Sequence, residues 1–256
     1  MGKRGALPYA IEPKQPLAPG VHIKITTRAA PGFSSGVFAR CNLGARVGDA
    51  PEAVAANRAG LRAALGLPGT PCFLRQVHGR EIIRLNKPPA EGEAEPEADA
   101  AWTDQRGLVL AVLSADCVPI LLAAEDGSLV AVAHAGWRGL ALGVIPALFA
   151  QLPIPPSRVR AFIGPAISAA GYEVGPEVLN ALIHRDPRHA ECFRQNERGR
   201  HQLDLRLAAW QQLQAAGVAA IAIAPHDTDR EPELWYSHRR DRGNTGRFAS
   251  LIWIAP

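Results

Sequence analysis

The sequence of 256 residues contains few methionines, cysteines and aromatic side chains. Its only methionine is Met1, and its four cysteines include no C-x-x-C pair. This irregular spacing argues against a structural zinc knuckle and against a disulfide framework. No apolar run reaches the ~20 residues that cross a bilayer, and prolines interrupt residues 1–20 too often for a signal peptide. We therefore expect a cytoplasmic protein with reduced thiols and no membrane contact.

Clusters of charge of one sign are also missing. The 28 Lys and Arg residues outnumber the 24 Asp and Glu residues, but the arginines are scattered and form no basic run. This distribution argues against a nucleic-acid-binding protein. Two explanations for the net charge of +4 stay open: a solvated basic surface, or a pocket for an anion such as phosphate. The hydrophobic fraction of 47% is sufficient for a sizeable core.

Hydrophobic periodicity predicts the order of elements. Strands are expected at 21–28, 72–85 (bending at Gly79), 107–114, 118–125, 129–135, 158–164, 218–224 and 248–255. Helices are expected at 48–69, 139–152, 175–184 and 203–217, and a loop rich in Pro and Glu at 86–100. The elements do not alternate strictly as βαβ units, and no segment resembles a linker. The pattern therefore predicts one α+β domain built on mixed sheets, at residues 21–256, preceded by an irregular N-terminal segment at 1–20.

The first predicted helix carries signals at both ends. Asp49 and Glu52 form a D-x-x-E pair, which predicts a capping box, and Pro51 suits the first turn. Gly66, followed by Pro68, indicates the C-terminal end. The helix should therefore begin just after Asp49 and end at Gly66.

Three residues of metal-ligating type fall at the ends of predicted strands: His78, Cys117 and His134. Two imidazoles and one thiolate would give zinc three ligands and leave its fourth position open, as in catalytic zinc sites. The residues are 39 and 17 positions apart, which is not a compact motif. Two alternatives therefore stay open. Cys117 could be a small buried apolar residue beside locally bonded histidines, or Cys117 and His134 could form the nucleophile and base of a thiol hydrolase.

The chain also resembles the YfiH-like family, which is known as the laccase-domain, polyphenol-oxidase-like or peptidoglycan-editing-factor family. The matching motifs, in the family's order across residues 21–254, are CNLG, QVHG, ADCVPILL, AHAGWRG, GPAIS, YEVGPEV and WYSHRRDRGNTGRFASLIWI. The resemblance implies a four-layer α/β/β/α sandwich in which His78, Cys117 and His134 bind zinc. It also implies a purine nucleoside phosphorylase that cleaves adenosine, inosine and methylthioadenosine with phosphate and deaminates adenosine with water. The sequence does not reveal the oligomeric state, and a monomer or a homodimer is expected.

Phosphate binding in these motifs requires a cation. Arg46 and Arg239 are our candidates, because the planar guanidinium is always charged and binds oxyanions in a bidentate manner. A surface ion pair is the alternative for each of them. Asn42 and Gln76 are candidates for hydrogen bonds to the ribose or the base, although Asn42 could instead only shape the turn before Gly44.

An acid or base is also required for the chemistry. Besides Cys117 and His134, Glu173 in the YEVG motif is the candidate general acid or base, with a structural ion pair as the alternative. Asp116 precedes Cys117 and could orient a metal ligand, or it could be an exposed carboxylate at a strand end. The chain departs from the family pattern at His226, near a usual cysteine, and at His238, which replaces a usual tyrosine. Either histidine could approach the metal or lie on the surface.

The family's older name, copper-dependent laccase, conflicts with the composition. A multicopper oxidase needs several copper ions and many histidines, commonly in H-x-H pairs. This chain has eight histidines, no H-x-H pair, and no methionine after Met1 to serve as an axial copper ligand. We therefore expect zinc, with copper as the alternative metal, and no laccase activity. The alternative enzyme is a Cys/His thiol hydrolase that acts on peptidoglycan precursors.

Overall fold

Two β-sheets packed face to face form the centre of the fold. The computed structural model describes residues 7–90 and 92–256. The strands are β1 (Ala10–Ile11), β2 (Val21–Thr26), β3 (Ile82–Arg84), β4 (Ala100–Thr103), β5 (Leu110–Ser114), β6 (Val118–Ala124), β7 (Val130–Ala135), β8 (Val159–Ile163), β9 (Glu173–Val174), β10 (Phe193–Gln195), β11 (His201–Leu203), β12 (Ala220–Ile223) and β13 (Phe248–Ile254). The α-helices are α1 (Pro51–Leu65), α2 (Trp137–Leu142), α3 (Val144–Gln151), α4 (Pro176–Arg185) and α5 (Leu205–Ala216). Short 3₁₀ helices lie at Gly36–Phe38, Pro156–Arg158 and Pro187–Cys192.

The two large sheets differ in strand direction. The first has the spatial order β1-β2-β13-β5, and its neighbouring strands all run antiparallel. The second has the order β12-β8-β6-β7-β4-β3. Its outer pairs, β12 with β8 and β3 with β4, are parallel, and its inner pairs are antiparallel. A third sheet has the order β10-β11-β9. No helix in the described part of the chain has the length and apolarity needed to span a membrane.

Three apolar clusters hold four layers together. Leu61 of α1 packs with Leu251 of β13 on the outer face of the first sheet. Between the sheets, Ile252 of β13 belongs to the same cluster as Leu121 of β6. On the far face of the second sheet, Ile120 of β6 packs with side chains of α2, α3, α4 and α5. The order helix, sheet, sheet, helix confirms the expected α/β/β/α sandwich.

The continuous apolar runs form strands that are buried on both faces. In β6, Val118, Ile120 and Leu122 contact the helical layer, whereas Leu121 and Ala123 contact the first sheet. Successive side chains point to opposite faces of a strand, so each face receives apolar residues only if the run is uninterrupted. Each fully buried leucine or isoleucine contributes about 1.5–3 kcal/mol to folding. These strands therefore form a rigid support for the residues at their ends.

The predicted capping box of α1 is wrong. Ala50, and not Asp49, precedes the first turn, and no side chain caps the helix. The Asp49 carboxylate instead accepts hydrogen bonds from Nδ2 of Asn42 and from the amide of Ala50, both at 2.8 Å, and so caps no amide of the first turn. The other end is as expected: Gly66 adopts a left-handed conformation with φ of 62° and ends the helix.

The single helix expected at 139–152 is two helices. Gly143 has φ of 84°, ends α2 and begins α3. Pro146 accounts for the break, because it lacks an N–H and its ring would clash with the carbonyl of Leu142 in a continuous helix. Gly143 adopts the left-handed conformation that this interruption requires.

The region from 72 to 100 contains less strand than expected. Its second half includes β3, but the first half contributes only isolated bridges, from Cys72 to Leu110 and from Arg75 to Glu97. Residues 77–79 are not part of a strand, because their backbone amides donate hydrogen bonds to the side chain of Asp99. The acidic segment after β3 lies in a loop, apart from position 91, which is outside the described residues. Of the segment 1–20, residues 1–6 are likewise outside, and β1 pairs with β2.

Candidate metal centre and its two cavities

The structure brings His78, Cys117 and His134 together at one edge of the second sheet. His134 lies in β7, Cys117 directly precedes β6, and the pairing of these strands sets Pro119 opposite His134. Cys117 is therefore a diagonal neighbour of His134 on the same face. His78 completes the group from the loop after Cys72, and the potential ligand atoms all lie within 4.8 Å of one another. We call these three residues the metal group; that it binds a metal stays a prediction.

A buried carboxylate, Asp99, holds both histidines. Its Oδ1 lies 2.8 Å from Nδ1 of His134, so the Nε2 atom of that ring is the one left for a ligand. The same carboxylate accepts hydrogen bonds from the backbone amides of Val77 (3.1 Å), His78 (3.0 Å) and Gly79 (2.7 Å). These bonds stabilise His78 at φ of 60°, a left-handed conformation that is uncommon for residues other than glycine. Asp99 therefore sets the orientation of one imidazole and the backbone position of the other.

Asp99 is not among the site residues predicted from the sequence. It is the last carboxylate of the acidic segment and stands immediately before β4, which pairs with the strand that carries His134. The signal that could have found it is its position: an acidic residue that directly precedes a buried strand is unlike its solvated neighbours in the same segment. Because the segment around Asp99 is rich in proline and glutamate, its pattern predicts an exposed loop throughout.

Electrostatic coupling favours charged forms of the thiol and the ring. Burial alone would raise the pKa of Cys117, but the adjacent His134 and His78 outweigh burial and lower it to about 6. For His134 the signs are opposite: burial would lower its pKa, whereas Cys117 and Asp99 raise it to about 9. In the metal-free protein at neutral pH, the pair is therefore a thiolate beside an imidazolium. A thiolate is the form that binds a metal ion.

The donor set and the local packing both fit a metal ion. Thiolate sulfur and imidazole nitrogen are ligands that zinc prefers, at about 2.3 Å and about 2.0–2.1 Å. Gly136 lies against the group, and a Cβ atom there would stand 2.9 Å from Sγ of Cys117 and 3.3 Å from Cδ2 of His78. The missing side chain at position 136 therefore leaves room for the thiol and the ring to converge.

Two cavities border the metal group. The first encloses about 270 Å³ and the second about 230 Å³. The residues that line both are His78, Ala115, Cys117 and His238. The first cavity is also lined by Arg46, Arg58, Gln76, Ser114 and Arg247. The second is also lined by Trp137, Arg138, Ile167, Tyr172 and Arg239. A small molecule in either cavity would thus lie beside the metal group.

Two of the predicted substrate-binding residues, Arg46 and Gln76, line the first cavity. Arg46 is exposed and forms an ion pair with Glu95 at 2.5 Å. Gln76 uses both ends of its amide on the backbone of Leu113, at 2.8 Å each, and so ties the loop before His78 to the end of β5. Gln76 lies in the cavity wall, and its amide is already engaged in holding that wall.

Asn42 does not line either cavity. It is fully buried, and its Oδ1 accepts hydrogen bonds from the amides of Gly44 (2.9 Å) and Arg247 (2.8 Å). Its Nδ2 donates to the carboxylate of Asp49 and to the carbonyl of Gly44. Of the two explanations for Asn42, the structure favours the one in which it shapes the turn before Gly44. The same bonds also place the backbone of Arg247.

Glu173 lies away from the metal group, in contrast to the expected acid or base. Its carboxylate pairs with Arg198 at 2.5 Å and with Arg200 at 3.6 Å, which is the structural ion pair named as the alternative. Only its carbonyl faces the site, where it accepts a hydrogen bond from Nη1 of Arg239 at 2.7 Å. The reason is local: β9 pairs with β11, and the turn between β10 and β11 carries both arginines. Arg239 itself lines the second cavity, with its guanidinium 5.0 Å from the ring centre of Tyr172.

Asp116 is buried and belongs to the scaffold of the site. Its φ is 92°, and its carboxylate accepts hydrogen bonds from the hydroxyls of Thr228 (2.6 Å) and Ser237 (3.1 Å). It also accepts from the amide of Arg239 at 2.6 Å. The simple explanation, an exposed carboxylate at the end of a strand, is therefore wrong. Asp116 fixes the turn that presents Cys117 and anchors the C-terminal segment that carries Arg239.

The two histidines that depart from the family pattern have different positions. His226 pairs with Glu231 at 2.7 Å and packs edge-on against Trp235, outside both cavities. His238 lies at the junction of the two cavities, although the three-residue metal group does not include it. Burial and the charge of Arg247 lower the pKa of His238, which favours the neutral ring. His238 is thus part of the wall that both cavities share.

Comparisons with known proteins agree on one family. The chain matches the family described as multi-copper polyphenol oxidoreductase laccase over residues 22–255. A protein of Xylella fastidiosa (strain 9a5c) named purine nucleoside phosphorylase is 44% identical over 246 residues, covering 93% of this chain and 94% of its own. Purine nucleoside phosphorylase YfiH of Escherichia coli (strain K12) is 38% identical over 244 residues, covering 95% and 98%. A crystal structure of a Neisseria meningitidis protein from family DUF152 superposes with a TM-score of 0.89 at 38% identity, covering 97% of this chain and 100% of that one.

Proposed function

Since the chain belongs to the multi-copper polyphenol oxidoreductase laccase family, several of whose members are named purine nucleoside phosphorylase, we propose that it is a zinc-dependent enzyme of that kind. Its substrates are adenosine, inosine or methylthioadenosine together with phosphate, and deamination of adenosine by water is a second activity. One observation carries the proposal: the group of His78, Cys117 and His134 stands where two arginine-lined cavities meet. Such a junction can hold a nucleoside and an anion next to one Lewis acid.

His78, Cys117 and His134 would hold the ion, which when bound supplies a Lewis acid with an open coordination position. Asp99 keeps Nε2 of His134 free by occupying Nδ1. In phosphorolysis a phosphate oxygen forms a bond to C1′ of the ribose as the bond from C1′ to the purine nitrogen breaks. The purine leaves with the electron pair and takes up a proton. Arginines in the cavity walls orient the phosphate and offset its charge. Glu173 has no part in this scheme.

Zinc is proposed over copper on the basis of the donor set. Two histidines and one cysteine also form blue-copper sites, but those sites add a weak axial ligand such as Met or Gln. The only methionine is Met1, and the amide of Gln76 is engaged at both ends by Leu113. Within the described residues, one group of metal-ligating side chains was found, and a multicopper oxidase requires several. The metal content of the protein as isolated tests this assignment directly.

The test of the activity is a product assay. Zinc-loaded protein is incubated with adenosine and phosphate, and free adenine and ribose 1-phosphate are quantified; inosine formation reports the deaminase activity. Chelated protein and the variants His78→Ala and Cys117→Ala are the controls, each assayed for bound metal. We expect both products from the zinc-loaded protein only. If zinc-loaded protein converts neither adenosine nor inosine, the proposal is wrong.

A thiol hydrolase is the second candidate, because Cys117, His134 and Asp99 are arranged like a nucleophile, a base and its orienting carboxylate. His78 argues for the metal enzyme, since a thiol hydrolase has no use for a second imidazole on the same sulfur. The two candidates respond differently to treatment. Chelation should abolish a zinc phosphorylase, whereas a hydrolase stays active without metal and loses activity when Cys117 is alkylated.

A further inference from the structure

The two cavities beside the metal group have different chemistry, and this difference allows the two substrates to be assigned. Neither cavity alone reaches the about 300–1,000 Å³ typical of pockets for drug-sized ligands. We therefore assign one substrate to each cavity. The following assignment rests on the proposed phosphorolysis.

Arg247, in the first cavity, is a largely buried arginine without a carboxylate partner in the described part of the chain. Its Nη1 donates to the backbone carbonyls of Thr245 (3.0 Å) and Gly246 (2.9 Å), which leaves its other donors free. Its amide is held by Asn42, and its stem packs over Gly44, where a Cβ atom would stand 2.8 Å from its Cγ. A buried guanidinium is costly unless an anion pairs with it. The site is thus built around a cation that needs a counter-charge.

Two further groups in the same cavity wall lack a hydrogen-bond partner among the described residues. Ser114 is 1% exposed, and its hydroxyl is unpaired. Arg58 donates to the carbonyl of Leu43 and to Glu95, but its Nη2 is buried and unpaired. Buried polar groups are nearly always hydrogen-bonded. An oxyanion is the kind of acceptor that both groups lack.

The arginines of the first cavity also suit phosphate. Arg46, Arg58 and Arg247 carry three positive charges, and one carboxylate, Glu95, pairs with the first two. The arginines therefore outnumber the carboxylate that neutralises them, which favours an anion. The Arg58 and Arg46 side chains hold the pKa of Glu95 below its usual range against the effect of burial, so this carboxylate stays charged.

The second cavity has flat, aromatic walls. The guanidinium of Arg239 lies over the ring of Tyr172 at 5.0 Å, and Nη1 is bound to the carbonyl of Glu173. Arg138 lies over the ring of Trp137 at 4.4 Å. Both arginines are stacked, and such surfaces suit the face of a purine better than they suit a small tetrahedral anion.

We propose that Arg247, Arg58 and Ser114 form the phosphate subsite, and that the nucleoside base binds in the second cavity against Tyr172 and Arg239. This reverses the role expected for Arg239, which becomes a nucleoside contact. Asn42 acts as a positioning residue because it places Arg247 and does not touch substrate.

The experiment compares the KM for phosphate with the KM for adenosine in three variants. Arg247→Met should raise the KM for phosphate at least tenfold and leave the KM for adenosine within twofold, and Arg239→Met should show the opposite pattern. Arg58→Met should raise the KM for phosphate as Arg247→Met does, and its matched control is Arg62→Met, an exposed arginine one turn later on α1, which should change neither value. Equal effects on both KM values, or none, in Arg247→Met would overturn the assignment.

Ser114→Ala separates a binding role from a structural one. Removal of an unpaired buried hydroxyl should leave the melting temperature unchanged or raise it, because no internal hydrogen bond is lost. The KM for phosphate should nevertheless rise several-fold. If that KM stays within twofold of the wild-type value in both Ser114→Ala and Arg247→Met, the subsite is wrong.

Calorimetric titration of the zinc-loaded protein with inorganic phosphate, without nucleoside, tests the subsite independently of turnover. Wild-type binding that is lost in Arg247→Met supports the subsite, even if the protein forms no product, in which case only the phosphorylase reaction is wrong. Absence of phosphate binding to the wild-type protein overturns the subsite. Unchanged affinity in Arg247→Met does the same.

Discussion

Nδ1 of His134 lies 2.8 Å from the carboxylate of Asp99, and both side chains are buried. The same carboxylate binds the amides of residues 77–79. One acidic residue therefore couples two histidines that are far apart in the chain. The consequences for metal binding can be measured.

Asp99→Asn should weaken zinc binding by about 10–100-fold, which is the range typical for loss of an orienting carboxylate. The asparagine side chain would also place its own N–H donors against the backbone amides of residues 77–79, whose hydrogen bonds Asp99 accepts. Zinc affinity is measured by competition with a chromogenic chelator, with the circular dichroism spectrum as a check on folding. Asp104→Asn is the matched control, since that carboxylate pairs with Arg84 at the surface. Equal affinities for Asp99→Asn and the wild type would contradict the orienting role.

Gly136→Ala should also reduce zinc affinity. The new methyl group would stand 2.9 Å from Sγ of Cys117, so either the thiol or the backbone must move. Such overpacking costs about 1–3 kcal/mol, and each 1.4 kcal/mol taken from binding is tenfold in affinity. The same chelator competition measures it. Zinc binding that survives this change intact would show that the thiol has more freedom than the packing indicates.

Gly60→Ala should stabilise the folded protein against thermal unfolding. Gly60 lies within α1, and a Cβ atom there would contact nothing within 4 Å. Alanine is favoured over glycine in a helix interior by about 0.8–1.0 kcal/mol. Thermal unfolding should show a rise of about 2–4 °C per kcal/mol, with zinc binding unchanged. A fall in the melting temperature would mean that Gly60 has a contact that the structure does not contain.

The thiols should differ sharply in reactivity once the metal is removed. At pH 7 the Cys117 thiol is mostly ionised because its pKa is about 6, whereas burial raises the pKa of Cys41 and of Cys72 to about 11 and that of Cys192 to about 12. Iodoacetamide should therefore alkylate Cys117 first, and the rate should fall by half near pH 6 as the thiolate is protonated. Peptide mass spectrometry identifies the modified residue. Bound zinc should protect Cys117, and equal labelling of all four thiols would refute the assignment.

Much of the fold follows from local pattern. The apolar runs at β5 and β6 predict strands buried on both faces, because a one-sided strand would alternate. His78, Cys117 and His134 stand beside the ends of such runs, which identifies them as candidates. Where prediction failed, a distant group competed with a local signal. Asn42 binds the carboxylate of Asp49, which caps no amide of the first turn, and the amides of 77–79 bond to Asp99 rather than to a strand.

The sequence by itself determined the principal buried strands and most of the helices, because hydrophobic periodicity is a property of the residues, and its motifs, through the family resemblance, pointed to His78, Cys117 and His134. Only the tertiary structure decided which carboxylate serves the histidines, that Glu173 belongs to a surface ion pair, and that Arg247 has no carboxylate partner among the described residues. These outcomes depend on strand register and on contacts between segments as far apart as Asn42 and Arg247. No local pattern records such contacts, because they exist only after the sheets have packed.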